Sequence, residues 1–419
     1  MIEERLLKKS RLMYIFQAAL EYLISILVAG SFLASITKEL GLSDSLTGIL
    51  SSIISLGCLF QLLSLPIRRT RVKKLVITLS VVNQLFFMLL YVIPLTGAEK
   101  PEKAAAFVIA IMSAYLLYNI AHPKKTNWLM SLLDDHHRGE YTANKEMFSL
   151  ITGMAFIFGM GAVVDRFAEQ GQIRAAFIVC AVTIFLLMML HTVTMLLTVE
   201  KELPRKDQKT LIENISVLLK NKKILSVTVV FILYYISTYI SVPFYGSYQI
   251  RELGLSLKYV SVITIVGSVS RILISKLWGR YADRTSFASM IEKGFLVLAA
   301  SQLCMILAVP ENGRIMLLLY YLIHGIGIAG INSALINMVF DYAPPEQRAD
   351  SLAIVQAAMG LAGFLATLCI SPLVAHIQGN GNCIFGLPIY AQQFVSIIAV
   401  LFTLTAYAYV HFILIKRKR

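Results

Sequence analysis

The sequence predicts an all-α membrane protein of about twelve transmembrane helices in two pseudosymmetric six-helix bundles. Three observations predict it. First, apolar residues make up 57% of the 419 residues and charged residues only 15%, with a mean hydropathy of +0.72. A soluble domain carries about 25% charged residues, and a soluble chain this apolar could not cover its surface. Second, the apolar residues fall in runs near the roughly 20 residues that a helix needs to cross hydrocarbon. Third, a short string after the first run returns after the seventh.

Taken in order, the spans of the first half are expected near residues 12–36, 45–67, 75–95, 104–122, 145–165 and 175–199. Met1 to Arg11 is charged and mixed in sign. The apolar segment that follows is longer than a signal-peptide core and has no small-residue cleavage site, so the first helix is expected to be uncleaved. A polar stretch, residues 200–223, separates these spans from the second set, near 224–248, 258–278, 289–309, 315–342, 350–377 and 389–415. The domains are therefore 1–199, a linker at 200–223, and 224–419.

Orientation follows from the basic residues. If the N-terminus is inside, the inner segments hold most of the 38 Lys and Arg, in runs such as Arg68–Lys74, Lys124–Lys145, Lys201–Lys223 and Lys416–Arg419. The outer segments hold only Lys38, Lys100, Lys103, Arg166, Arg174, Arg251, Lys258 and Arg314. That bias puts both termini in the cytoplasm, in a multi-pass protein of the plasma (inner) membrane. The net charge of +14 thus reflects loops meeting anionic lipid and not nucleic acid. In the linker, Leu211, Ile212, Ile215, Leu218 and Leu219 recur at helical spacing among lysines, which suits an amphipathic helix on the inner leaflet or a basic tether. The five cysteines, Cys58, Cys180, Cys304, Cys369 and Cys383, are scattered and odd in number, which suits packing better than a disulfide framework.

The repeat is the most informative feature. Glu39-Leu40-Gly41-Leu42-Ser43 recurs as Glu252-Leu253-Gly254-Leu255-Ser256, and at a nearly constant offset Gly57 pairs with Gly267, Asn127 with Asn337, Arg138 with Arg348, and Gly153 with Gly363. Two bundles related by an axis along the membrane normal follow from that order.

Six plus six helices, a basic central segment and inside termini resemble the major facilitator superfamily over nearly the whole chain. The sharpest local match is Gly279-Arg280-Tyr281-Ala282-Asp283-Arg284, between spans 8 and 9. It is similar to the superfamily's loop motif, in which Gly is followed four residues later by Asp-Arg. The resemblance implies that Gly279, Asp283 and Arg284 form a conformational gate, Asp283 bracing a helix N-terminus where a carboxylate gains from the dipole. The next Gly and Arg of the motif are Ser286 and Phe287 here, and Lys73-Lys74 take the corresponding register in the first half. A carboxylate brace is thus expected on one side only.

Polar side chains within spans are costly and normally face a cavity or a partner. Glu21 lies mid-span with Tyr14, Gln17 and Ser25 on one helical face. Span 7 presents Tyr234, Thr238, Ser241, Tyr245 and Tyr248 at similar spacing. Span 4 offers Tyr115, Tyr118, Asn119 and His122, and span 10 offers Tyr321, His324 and Asn332. The resemblance implies a central cavity lined by helices 1, 4, 7 and 10. Glu21 is the candidate for proton coupling or for pairing with a cationic substrate, the alternative being a purely structural carboxylate. Arg271 in span 8 needs a partner or must snorkel. Glu146 and Gln356 match across the repeat as contacts between halves. The glycines Gly153, Gly159, Gly161, Gly360 and Gly363 suit close helix packing.

No catalytic constellation, cofactor motif or phosphate-cradling loop is present in the sequence. Asp134, Asp135, His136 and His137 read as a solvated acidic loop and not a metal site. The expected function is a monomeric secondary transporter moving a small uncharged or cationic organic solute by alternating access, coupled to protons. The alternatives are a multidrug/proton antiporter, against which the absent Gly-Pro of span 5 counts, and a membrane-embedded sensor or enzyme.

Overall fold

The computed structural model describes residues 2–64, 67, 71–130, 132, 138–200, 221–342, 348–384 and 386–416. Twelve helices among these residues are long and apolar enough to cross a membrane. They are α1 (Glu4–Glu39), α2 (Asp44–Ser64), α3 (Lys73–Leu95), α4 (Lys100–Thr126), α5 (Met147–Glu169), α6 (Ile173–Leu197), α7 (Lys222–Glu252), α8 (Leu257–Ala282), α9 (Phe287–Ile306), α10 (Gly313–Val339), α11 (Ile354–Gly379) and α12 (Ala391–Ile415). A two-stranded antiparallel hairpin, β1 (Cys383–Ile384) with β2 (Leu387–Pro388), joins α11 to α12.

Two spans are interrupted. In α1 the helix stops at Leu27 and restarts at Gly30, whose φ of +52° lies in the left-handed region open to glycine. In α7 the helix Lys222–Tyr239 gives way to Val242–Ser247 and then a π-turn, Tyr248–Glu252. Pro243 accounts for the break, because its ring lacks an N–H and clashes with the carbonyl one turn earlier.

The first helix begins already at Ile2 instead of near residue 12, and three other helices outrun their expected ends as well. The helix of α4 runs from Lys100 to Met130, straight through Pro123, so Lys124 and Lys125 belong to the helix and not to an inner loop. The helix of α8 continues to Arg284, so the Gly279–Arg284 motif forms its last turns. The helix of α5 begins at Arg138. The linker segment 201–220, with its expected amphipathic helix, and Asp134 to His137 lie outside the described residues.

The chain divides into two compact units that do not follow the sequence halves strictly. Unit 1 comprises Met1–Leu42, Phe60–Lys206 and Ser256–Ser261; unit 2 comprises Ser43–Leu59, Asp207–Leu255 and Val262–Arg419. The first half thus lends most of α2 to unit 2, and the second half lends the start of α8 to unit 1.

Within unit 1, Tyr14, Val76, Trp128, Leu129 and Met195 form one buried cluster. Close by, Glu200 Oε1 accepts the N–H groups of Val72 and Lys73 at the start of α3. Lys73 Nζ in turn donates to the carbonyls of Leu196 and Thr198 at the end of α6. Each charge meets the helix terminus of opposite partial charge. Within unit 2, Phe231, Tyr234, Phe295, Leu298, Ile331 and Val355 anchor the main cluster. Asn221 caps α7 by accepting from the N–H groups of Lys223 and Ile224.

Apolar side chains point outward as well as inward. On α6, Ile178, Val182, Leu186, Met189, Leu190, Val193 and Leu196 are all exposed. In water such a face would drive aggregation; in a bilayer it meets lipid at no cost.

Candidate functional site

In unit 1 the polar face of α1 meets α4 and α6. Glu21 Oε2 accepts from Lys125 Nζ at 2.9 Å, with the Lys125 side chain 6% exposed and that of Glu21 24%. Lys125 Nζ lies 3.0 Å from His191 Nε2, and His191 Nδ1 lies 2.8 Å from the side-chain amide of Gln84 on α3. Both His191 and Gln84 are buried. A chain of four polar side chains therefore runs from α1 through α4 and α6 to α3. Isolated, the carboxylate or the ammonium would be costly in so dry a place; paired and hydrogen-bonded, each offsets the other's desolvation.

The sequence reading missed three members of this chain. Lys125, expected in the inner segment Lys124–Lys145, lies in the helix instead. The helix carries on past His122, so a basic residue counted as cytoplasmic sits one turn below it. Gln84 and His191 carried a readable signal, each being a polar group within a long apolar span.

The other expected residues of unit 1 have mostly local roles. Gln17 is fully buried and donates through Nε2 to Thr198 Oγ1 at 2.9 Å. Ser25 Oγ donates to the Tyr22 carbonyl at 2.7 Å. Asn119 donates to the Tyr115 carbonyl at 2.8 Å and accepts from Gln61 Nε2 at 3.4 Å. Tyr115 is buried edge-to-face against Phe87, and His122 lies beside the Tyr118 ring. Among the described residues, His122 Nδ1 is a buried polar atom with no hydrogen-bond partner.

In unit 2 the residues expected from α7 and α10 gather into an aromatic and polar array. Tyr320 packs edge-to-face on Tyr245 and Tyr321 and stacks on His324, with ring centroids 4.9 Å apart for the last pair. Tyr245 shares a hydrogen bond of 2.9 Å with Ser396. Gln249 donates to the Tyr321 hydroxyl at 3.1 Å, and the Tyr234 hydroxyl donates to Asn332 at 3.5 Å. Thr238 is half-buried. Ser241 is fully buried at the break in α7; its Oγ and His324 Nδ1 have no partner among the described residues. Arg271 of α8 is exposed. Such an array offers π-faces for stacking and neutral groups for hydrogen bonding.

Besides Glu200, two more carboxylates organise the ends of helices. In unit 2, Asp44, at the start of α2, is almost fully buried. It pairs with Arg251 at 2.8 Å, accepts from Gln378 at 2.7 Å, and accepts from Ser247. In unit 1, Asp165 of α5 accepts the first N–H groups of α8. In the Gly279–Arg284 motif, expected to form a gate, Gly279 and Arg284 are exposed in the last turns of the α8 helix, and the side chain of Asp283 lies outside the described residues.

Comparison with known proteins agrees with this architecture. The profile of the Major Facilitator Superfamily matches residues 14–367 and again 227–413. The chain belongs to that superfamily and is a membrane transporter of its class. Among solved structures, it is similar to a variant of the nucleoside transporter NupG, at 13% identity and a TM-score of 0.73, covering 96% of this chain and 99% of that one. It is similar also to the D-xylose-proton symporter, at 16% identity and a TM-score of 0.68, covering 95% and 96%. A bacterial homolog of the human lysosomal transporter Spinster aligns at 14% identity and a TM-score of 0.67, covering 98% and 96%. No curated protein matches the sequence.

Proposed function

We propose that this chain is a monomeric secondary active transporter that carries a small uncharged organic solute by alternating access and couples its movement to protons. The observation that carries the reading is the Glu21–Lys125 pair, an ionised couple held inside a membrane-spanning bundle. Charged groups enclosed within such a bundle are costly and normally serve transport. Their mutual neutralisation favours a neutral solute over a cation, because the carboxylate already has its counter-ion. The rings and neutral donors around Tyr245, Tyr320, Tyr321 and His324 support a ring-bearing solute of the nucleoside or sugar type, since aromatic faces stack on planar or apolar ring faces. The likeness in fold to a nucleoside transporter and a D-xylose-proton symporter supports the same class. The basic bias of the sequence supports cytoplasmic termini and a plasma (inner) membrane setting. An antiporter for cationic drugs would need an acid free to meet its cargo, and Glu21 is engaged.

Counterflow into proteoliposomes tests the reading. The expected result is exchange of labelled nucleosides or sugars, accelerated by an imposed pH gradient, with the gradient effect lost in Glu21→Gln. Exchange that ignores the gradient in both proteins removes the coupling role. Uptake confined to cationic drugs removes the solute class.

A further inference from the structure

Lys125 has two partners on opposite sides, and only one of them is an acid. Its ammonium can donate but not accept. Facing it at 3.0 Å, His191 Nε2 must therefore hold a lone pair, which puts the imidazole proton on Nδ1. Nδ1–H then needs an acceptor, and the Gln84 amide, 2.8 Å away, supplies one when its carbonyl oxygen is turned toward the ring. Turned this way, Oε1 accepts the ring N–H, and Nε2 takes the buried place that has no partner among the described residues. The hydrogen-bond chain thus fixes a neutral imidazole with its acceptor aimed at the lysine. A second proton on the ring would set two donors face to face.

The consequence appears when Glu21 takes up a proton. The carboxyl loses its charge, and the buried ammonium would be left without a counter-ion, which is strongly unfavourable unless another acceptor holds it. Among the described residues, the other ionisable groups near this pair are His122, on the same helix as Lys125, and, beside His122, Lys145 of the α5 helix, which lies over the Tyr14 ring. Neither, among the described residues, is hydrogen-bonded to the lysine as His191 is. We infer that His191 is a positioning residue for the Glu21 proton site: its Nε2 lone pair keeps the Lys125 ammonium in place whenever Glu21 is protonated, so that one proton can come and go without expelling the lysine. This rests on Glu21 as the coupling group.

The test needs no transported solute. The full chain in liposomes is titrated while the infrared carbonyl band of its protonated carboxyl groups is followed, and Glu21→Gln identifies the part belonging to Glu21. His191→Phe removes the acceptor at similar volume, and His191→Leu does so if the Phe variant fails to fold. Either should move the Glu21 midpoint toward acid by roughly one pH unit, the size of one charge-assisted hydrogen bond. His191→Gln, which restores an acceptor oxygen, should stay within a few tenths of a unit of the parent. A Phe or Leu variant with the parent's midpoint overturns the inference and leaves the coupling role intact. A Gln variant shifted as far as Phe overturns it too, because bulk and not the lone pair would then matter. If Glu21→Gln deletes no band at all, Glu21 does not titrate, and both readings fall together.

Discussion

Asp165 receives the backbone N–H groups of Leu257 and Lys258 on its two carboxylate oxygens, at 2.9 and 2.6 Å. One side chain from α5 thus satisfies two of the four orphan donors at the start of α8 and places a negative charge on the positive end of its dipole. Replacing it with Ala is expected to cost about 1–2 kcal/mol, read as a lower Tm of the purified protein. Asp165→Asn, which keeps one acceptor, should lose less. Equal losses in the two variants would mean that the charge and the second oxygen contribute nothing.

Asp44 carries a heavier role. It is 5% exposed and is the carboxylate partner of Arg251, with Gln378 and Ser247 as further donors. Asp44→Ala leaves the guanidinium without that partner, which costs about 3 kcal/mol or more. Gln378→Ala removes one neutral donor and should cost about 1 kcal/mol. The ranking of the two thermal shifts is the check, and a Gln378 effect as large as that of Asp44 would contradict it.

Glu21 and Lys125 are predicted to be coupled in stability. Lys125→Met strands a partly buried carboxylate and Glu21→Ala leaves the ammonium with only the neutral His191 of its two partners here, so either alone should lower Tm, by the equivalent of about 3 kcal/mol or less. The double variant strands neither, so its loss should fall well short of the sum. Additive losses would show that the two side chains do not depend on each other.

Glycines in these spans differ in what surrounds them. A Cβ at Gly360 would press on the backbone oxygen of Ser55 and on Cys58 Cβ, whereas one at Gly159 meets nothing within 4 Å. Gly360→Ala is expected to destabilise by about 1–3 kcal/mol, since a carbonyl cannot step aside as a flexible side chain can. Gly159→Ala should be neutral or stabilising by about 0.5–1 kcal/mol, through the better helix propensity of alanine. The reverse order in a thermal melt would overturn the assignment of Gly360 to a close helix contact.

Much of the fold was legible because the bilayer imposes a simple demand. Each crossing needs an unbroken apolar run, and twelve such runs stand out from their charged connections without any knowledge of packing. Helix ends were harder. Pro123 and the two lysines after it look like a terminus, yet the helix continues to Met130 because a proline removes one hydrogen bond and neighbouring turns can absorb the loss. That misreading concealed Lys125 and so made Glu21 look like a lone acid. The breaks at Gly30 and Pro243 were marked by residues with known backbone constraints, but whether a span bends or stops there is decided by its neighbours. His191 and Gln84 lay outside the helices that the resemblance singled out, which is why their polarity drew no notice.

The exchange of segments at 43–59 and 256–261 bears on how the protein can be made. A polypeptide severed in the central linker yields two pieces, each missing a stretch that its own unit requires and each holding one that belongs to the other. The two pieces are therefore expected to accumulate better when synthesised together in one membrane than when either is made alone.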